Sequence, residues 1–465
     1  MIAFPRRVAR RFRAACAKCT SGRPRGPAPP VVLRQARGRV TLTATFPDVT
    51  LELACGITTS VPDRIEVLVV PMAALEAVGA NSDEPVEFDV GEGLVGVARW
   101  VGHDGPGSIP VTYVLPGKQH DPFPRPEVRP LAERLLTALH EAGRTASRED
   151  GRFALSRVQV RGTKGQVIGT DGKVAVLFSG FTFPFPEDVL VPAVPLLGAA
   201  EVRDEADVRV GRTPAHLVVA AGDWTAWLAV APAGKFPDVA GAVPRHAPTT
   251  AALDRDDAAG LLPQLPKLPG QGHDLRPVTL CAAEVLAVRA GDAAGAVKEV
   301  VLARSTVTGP AARVALDRRA LARILALGCT TLRISPDKAL VGTGNGVTVL
   351  AALLEPGLAV AAEPRAPGSA ANESITDPTP NPRRNTTVKP HETNGPAAGG
   401  RHDPPAGDAP DPLVAAEELR AALTDAAAKA ARLVAVLRQS KKEQKVLATV
   451  LTNLKQLNLG TGGPR

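Results

Sequence analysis

Cys16 and Cys19 are spaced as Cys-x-x-Cys, a pattern that serves zinc binding or thiol–disulfide exchange. Zinc would need two more ligands at finger-like spacing, and the next cysteine is Cys55, with no histidine beside it. Helical phasing gives a better account. Phe4, Val8, Phe12, Cys16 and Cys19 step by 4, 4, 4 and 3, so both thiols fall on the apolar stripe of an opening helix. Ser179, His216 and Asp223 could be arranged as a hydrolase triad, but the flanking runs Leu217-Val218-Val219 and Trp224 to Val230 read as sheet. Gly342-x-Gly344-x-Gly346 joins strand patterns and opens no helix, so it fits a hairpin turn better than a phosphate cradle. The chain has no Walker loop, HExxH or GxSxG. These residues predict a protein that binds and does not catalyse, with no metal or cofactor.

Charge placement says more about a partner. Net charge is +8, and eleven Lys/Arg residues, Arg6 to Arg39, precede the first acidic residue, Asp48. That concentration favours a polyanion, nucleic acid ahead of anionic membrane, with a solvated basic tail as the alternative. The five cysteines are odd in number and scattered, which points to a reducing cytoplasm over a disulfide framework. Val8-Ala9 is followed at once by Arg10-Arg11, so neither a secretory nor a twin-arginine leader is expected. No apolar window is long enough for a membrane span.

The elements that position these residues recur three times. At 465 residues the chain suits three domains of ordinary size. The first unit reads as a strand from Arg39 to Thr45, a turn at Phe46-Pro47-Asp48, the strand Val49 to Leu53, then Ile65 to Pro71 and a short helix, Met72 to Val78. The second has Gly165 to Thr170, the turn Asp171-Gly172, the strand Lys173 to Phe178, then Val189 to Pro192 and a helix, Ala193 to Ala200. The third has Val297 to Arg304, Ala312 to Leu316 and a helix, Asp317 to Leu327, N-capped by Asp317. Alternating apolar strands follow each helix at Val86 to Val90, Val208 to Val210 and Leu332 to Ser335. Each unit opens with a helical pattern, at Pro5 to Lys18, Pro130 to Ala142 and Asp254 to Leu265. The fold class is α+β, with two helices and a mostly antiparallel sheet per repeat.

Thr170-Asp171-Gly172, Val191-Pro192, Gly234-Lys235-Phe236-Pro237-Asp238 and Val243-Pro244 stand in an order that resembles the central domain of the bacterial DNA polymerase III β subunit, the DNA sliding clamp. Leu42 to Thr45, Leu115-Pro116 and Phe123-Pro124 are similar to that family's first domain. The third unit is held mainly by repeat order. The resemblance covers about residues 1–356 and implies clamp domains at 1–126, 127–245 and 246–356, forming a crescent. It further implies a homodimeric ring around double-stranded DNA that tethers DNA polymerase, clamp loader or repair-protein peptides. In that family the helices line the central hole. Arg6, Arg10 and Arg13 on one flank of the first helix, and Arg7, Arg11 and Lys18 on the other, would then meet phosphates without reading sequence. Arg134 and Arg144 in the second unit, and Arg318, Arg319 and Arg323 in the third, would do likewise.

The resemblance also implies an apolar pocket for partner peptides between the second and third domains. Leu155, Thr170, Gly172, Lys173, Val174 and Pro244 match its positions, and Leu353 or Leu354 would add a wall. The family's usual Thr-Asp-Gly-His-Arg becomes Thr-Asp-Gly-Lys173-Val174 here. Where family chains end in a Met-Pro-containing strand, this one reads Leu353-Leu354-Glu355-Pro356 and continues. Residues 357–411 are dense in Pro, Gly, Asn, Thr and Asp, which predicts a disordered linker. At 412–459 a single helix is expected, with a heptad seam interrupted at Ser440 and Gln444. That helix could bind a partner, self-associate as a coiled coil, or dock in the pocket through Leu447, Leu451 and Leu454.

Overall fold

A computed structural model of the chain describes residues 1–360, apart from 23–25, 57–64, 104, 132–133, 149–153, 233–235 and 271. The chain divides into two units, Met1–Ser369 and Ala370–Arg465, and all described residues lie in the first. The expected helix and most of the expected linker fall outside them.

The strands come in three series with one order. The first series holds β1 (Ile2–Pro5), α1 (Arg6–Cys16), β2 (Val31–Ala36), β3 (Arg39–Thr45), β4 (Val49–Gly56) and β5 (Glu66–Val70). It ends with α2 (Met72–Val78), β6 (Pro85–Val90), β7 (Val95–Gly102) and β8 (Gly105–Thr112). The second holds β9 (Arg129–Pro130), α3 (Arg134–Thr145), β10 (Arg157–Arg161), β11 (Gln166–Thr170), β12 (Val174–Ser179) and β13 (Asp188–Pro192). It continues through α4 (Ala200–Arg203), β14 (Val208–Arg212), β15 (His216–Ala221), β16 (Trp224–Ala229), β17 (Ala231–Pro232) and α5 (Val239–Ala242). The third holds β18 (Thr249–Ala252), α6 (Arg255–Leu261), β19 (Pro277–Ala282), β20 (Leu286–Gly291), β21 (Val297–Leu302) and β22 (Thr306–Thr308). It closes with β23 (Ala312–Asp317), α7 (Arg318–Ala326), β24 (Thr331–Ser335), β25 (Ala339–Gly344) and β26 (Val347–Ala352).

Among the described residues four antiparallel sheets result, and the two larger ones join consecutive series. The eight-stranded sheet runs β5-β2-β3-β4-β16-β15-β14-β9, so β4 of the first series pairs β16 of the second. The ten-stranded sheet runs β17-β13-β10-β11-β12-β26-β25-β24-β18-β22 and joins second to third through β12 and β26. The four-stranded sheets β1-β6-β7-β8 and β21-β20-β19-β23 leave β8 and β21 as edges.

Sequence chemistry explains the elements. In α1 the buried residues are Val8, Ala9, Phe12, Ala15 and Cys16, at helical spacing, with the arginines between them. Phe12 stacks on Trp224 of β16 with ring centroids 6.4 Å apart, tying α1 to the second series. Cys16 and Cys19 are buried, and burial pushes the Cys19 thiol up to about 12, which suits core packing and not a reactive thiolate. Asp254 and Asp317 cap α6 and α7, accepting from Asp256 and Asp257 N–H and from Arg319 N–H respectively. The Gly342–Gly346 stretch is a hairpin, with Asn345 and Gly346 at φ 48° and 72°.

Some local expectations differ from the structure. The helix expected from Ala193 to Ala200 is a 3-10 turn, Pro195–Gly198, followed by the four-residue α4. Pro195 brings no N–H and holds Val194 extended. In the third series three strands, β18, β19 and β20, precede the expected start at Val297. Val360 N–H donates to Thr279 Oγ1 at 2.8 Å, so residues 357–360 of the expected linker are held on the third series.

Candidate functional site

The first candidate surface is the basic set. Its arginines are mostly paired within the chain. Arg6 reaches Glu84 at 3.4 Å and stacks over the Trp100 ring at 4.8 Å, while its Nε donates to the Val78 carbonyl. Arg7 pairs Asp83 at 2.7 Å, Arg11 pairs Glu205 at 3.4 Å, and Arg13 pairs Glu76. Arg144 pairs Glu141 at 3.2 Å and Arg319 pairs Asp317 at 2.6 Å. Arg323 binds Glu141 and also donates to the Glu141 carbonyl and to Thr145, joining α7 of the third series to α3 of the second. Arg134 donates to the Ser179 carbonyl and lies over Phe181.

Arg318 requires a correction. It is 3% exposed, and its guanidinium donates to the carbonyls of Arg276, Leu265, Leu268, Pro269 and Pro277. A group so enclosed cannot reach a phosphate. Arg10 and Lys18 are exposed and, among the described residues, make no ion pair or side-chain hydrogen bond. Three of the carboxylates that pair α1 lie on and just after α2, at Glu76, Asp83 and Glu84, and the fourth, Glu205, follows α4. The acidic pair Asp83-Glu84 after a short helix was a visible signal in sequence that the arginines had partners.

This arrangement makes a graded expectation for DNA association. Reversing Arg10 and Lys18 together should reduce the slope of log K against log salt by about two. Reversing Arg7 and Arg13, whose charges Asp83 and Glu76 already offset, should reduce it by less than one. Equal effects from the two pairs would mean that the carboxylates release their arginines to the phosphates.

The second candidate site is the turn between β11 and β12. Asp171 Oδ1 accepts from the Lys173 and Val174 N–H groups, both at 2.8 Å. Thr170 Oγ1 donates to the Val174 carbonyl at 2.8 Å and accepts from Gly172 N–H at 3.0 Å. Gly172 sits at φ +88°, a left-handed position that excludes most side chains. A Cβ there would lie 3.8 Å from Leu155 Cδ1, so Leu155 borders the turn. Across the β12–β26 pair, Ala352 N–H donates to the Lys173 carbonyl at 2.8 Å, and Leu354 N–H then donates to Ala315 at 2.8 Å. The chain thus brings Leu155, Thr170, Gly172, Lys173, Val174, Leu353 and Leu354 to one end of this junction. Pro244 is held farther across the sheet, its carbonyl accepting from Arg333 of β24 at 3.2 Å.

Between those points an apolar cluster of Ile168, Ala175, Leu177 and Leu350 lies under Phe236, Val239 and Ala240. The equivalent place at the first junction is filled. There Trp227, in the position of Leu350, is 1% exposed. Its indole donates to the Pro124 carbonyl at 3.1 Å, and its ring is 5.7 Å from Phe123. At the second junction the smaller Leu350 takes that place, and Phe236, Val239 and Ala240 pack over the cluster instead. Val239 and Ala240 were not among the residues singled out from sequence, and Phe236 carried the family resemblance without being placed at the pocket.

The imagined triad does not assemble: Ser179 is on β12 of the ten-stranded sheet, whereas His216 opens β15 and Asp223 lies in the β15–β16 turn of the eight-stranded sheet. Among the described residues no cluster of His, Cys, Asp and Glu could hold a metal ion. No described helix is long and apolar enough to cross a membrane.

No protein-family model matches the sequence, and no curated protein matches it significantly. Solved structures do match in three dimensions. A DNA polymerase sliding clamp from Pseudomonas aeruginosa aligns over 76% of this chain and 99% of its own, with a TM-score of 0.61 and 15% identity. The DNA polymerase III subunit beta from the same organism gives a TM-score of 0.62 at 16% identity, covering 76% of this chain and 99% of its own. A protein from Eubacterium rectale assigned as a DNA polymerase III beta subunit gives 0.62 at 12% identity, covering 76% and 98%. With its paired series, shared sheets and short helices, this chain carries the bacterial DNA polymerase III beta fold, the sliding-clamp fold, in a strongly diverged sequence.

Proposed function

We propose that the chain is a cytoplasmic sliding-clamp-type tether whose copies join head to tail around duplex DNA and dock partner peptides, without catalysing a reaction. One observation carries this reading. β4 pairs β16 and β12 pairs β26, and the third members of those two sets, β21 and β8, are left as edges of their sheets. A second copy sets its β21 edge beside β8 and its β8 edge beside β21, which gives a closed homodimer. The domain boundaries near residues 126 and 246 follow from the same repeat. The junction beside Leu155, Gly172, Leu353 and Leu354 is the reading's docking site for apolar peptide anchors from a polymerase, loader or repair factor. Lys173 is exposed at its rim and would favour an acidic residue beside the anchors.

A second reading has its own support. With Arg6, Arg7, Arg11, Arg13, Arg144, Arg319 and Arg323 all ion-paired within the chain, little net charge remains for phosphates. That favours a clamp-derived interaction protein that no longer encircles DNA and works through its C-terminal segment. Residence on a covalently closed plasmid, measured before and after linearisation, separates the two. Encirclement gives a complex that outlasts a high-salt wash on the circle and is lost once the ends are free. Equal loss from both forms would sink it.

A further inference from the structure

The third junction cannot be a copy of the other two. The hairpins β7–β8, β15–β16 and β25–β26 begin their second strands at Gly105, Trp224 and Val347, paired with Gly102, Ala221 and Gly344. Five residues further along, these strands reach Pro110, Ala229 and Ala352. At both internal junctions the N–H of that residue bonds across to the preceding series: Ala229 to the Asp48 carbonyl at 2.9 Å, and Ala352 to the Lys173 carbonyl at 2.8 Å. Pro110 has no N–H to give.

A second proline lies four residues earlier in β8. Pro106 stands where the second and third series have Thr225, paired with Glu52, and Thr348, paired with Leu177. In an antiparallel strand alternate residues turn their amides to the same side, so positions 106, 108, 110 and 112 all face away from β7. A proline is tolerated in a strand where its nitrogen faces away from its neighbour, which agrees with this parity. Pro106, Ser108, Pro110 and Thr112 are exposed. Two of the four outward donors are therefore gone, and each ring projects toward the space an incoming carbonyl would occupy. Prolines at such positions are a recognised way of blunting an edge. By contrast β21, Val297–Leu302, contains no proline, and its Val297 is 53% exposed. The two ends of the array do not match.

The hairpin behind β8 is nonetheless well built. A Cβ on Gly107 would fall 2.6 Å from Trp100 Nε1, so Trp100 lies flat over that glycine, with Arg6 stacked above it. The edge is blunted by its prolines, not by a poorly formed strand.

We infer that Pro106 and Pro110 deny the β8 edge a strand ladder with β21 of a second copy, so that the free chain is monomeric at micromolar concentration. This rests on the head-to-tail reading and adds a regulation to it. A ring closed at that seam by side chains alone assembles where DNA concentrates the protein and opens without the loss of a ladder.

The test compares the full chain with the double variant Pro106→Thr, Pro110→Ala, which installs the residues found at the first junction. Mass is measured by light scattering across a concentration series, with circular dichroism to check the fold. The natural chain is expected to run at its monomer mass of 48.2 kDa, and the variant to dimerise about tenfold more tightly or better. A third variant, adding Val301→Pro in β21, should abolish the gained dimer if the two edges meet. A natural chain that is already a dimer, with unchanged affinity in the variant, overturns the inference and leaves the head-to-tail reading standing. Monomers throughout, or a variant dimer indifferent to Val301→Pro, would overturn both.

Discussion

Replacing Arg318 by methionine is expected to remove about 3–5 kcal/mol of folding stability and to leave the salt dependence of DNA association unchanged. The side chain is 3% exposed and fans its donors over the carbonyls that end the 3-10 turn Leu265–Lys267 and begin β19. Burial, and then the neighbouring Arg276, hold its pKa below the ordinary arginine value, yet the guanidinium stays charged at any working pH. The carbonyl dipoles solvate it in place of water. Methionine fills most of the volume and supplies no donor, so several buried acceptors lose their bonds at once. Lysine keeps the charge with a shorter reach and fewer directed donors, and should fall between the two. Urea midpoints report the stability, and log K against log salt reports the DNA contact. A loss under about 1 kcal/mol, or a slope lower by one, would return Arg318 to the surface set.

Arg318 also shows what the sequence could not reveal. In the pattern it is the first residue after an N-cap, flanked by Arg319, and nothing local separates a buried arginine from an exposed one. Its acceptors lie 41 to 53 residues away, and separations of that kind leave no periodic trace. The repeat, by contrast, was legible because each series writes the same local chemistry: alternating strands, a tight turn and a short amphipathic helix. The turn at Asp171-Gly172 is legible because its bonds are local, from the Lys173 and Val174 N–H groups to Asp171.

The strand β8 was missed for an instructive reason. Gly105-Pro106-Gly107-Ser108-Ile109-Pro110 has the composition of a loop. It forms an edge strand because it pairs with β7 on one side only, and prolines fit where no second neighbour is bonded. The residues that looked least like sheet are the ones that set what the sheet can join. Likewise the basic residues of α1 were visible, while the acids that pair them lie 63 to 194 residues away.

Substituting Gly169 by alanine is expected to remove about 3 kcal/mol of stability, far more than a lone methyl on an exposed strand. A Cβ at Gly169 would stand 2.6 Å from the carbonyl carbon and 2.8 Å from the Cα of Ala142 in α3. Those are backbone atoms, so no rotamer change relieves the clash. The helix must lift from β11. Gly172, three residues on, is the control: its Cβ would meet Leu155 at ordinary distance, and only the left-handed backbone at φ +88° opposes it, which costs about 1 kcal/mol. The two substitutions also divide by consequence. α3 carries Glu141, which holds Arg323 of α7, and β11 leads directly into Thr170. Lifting α3 should therefore loosen the second junction as well as the core. Affinity for an apolar peptide docked there should drop in Gly169→Ala at temperatures where the protein is still folded. Calorimetric midpoints with a fluorescent-peptide titration check both parts. Full stability in Gly169→Ala would mean that α3 does not rest on β11. Lost stability with unchanged peptide affinity would move the docking site away from this junction.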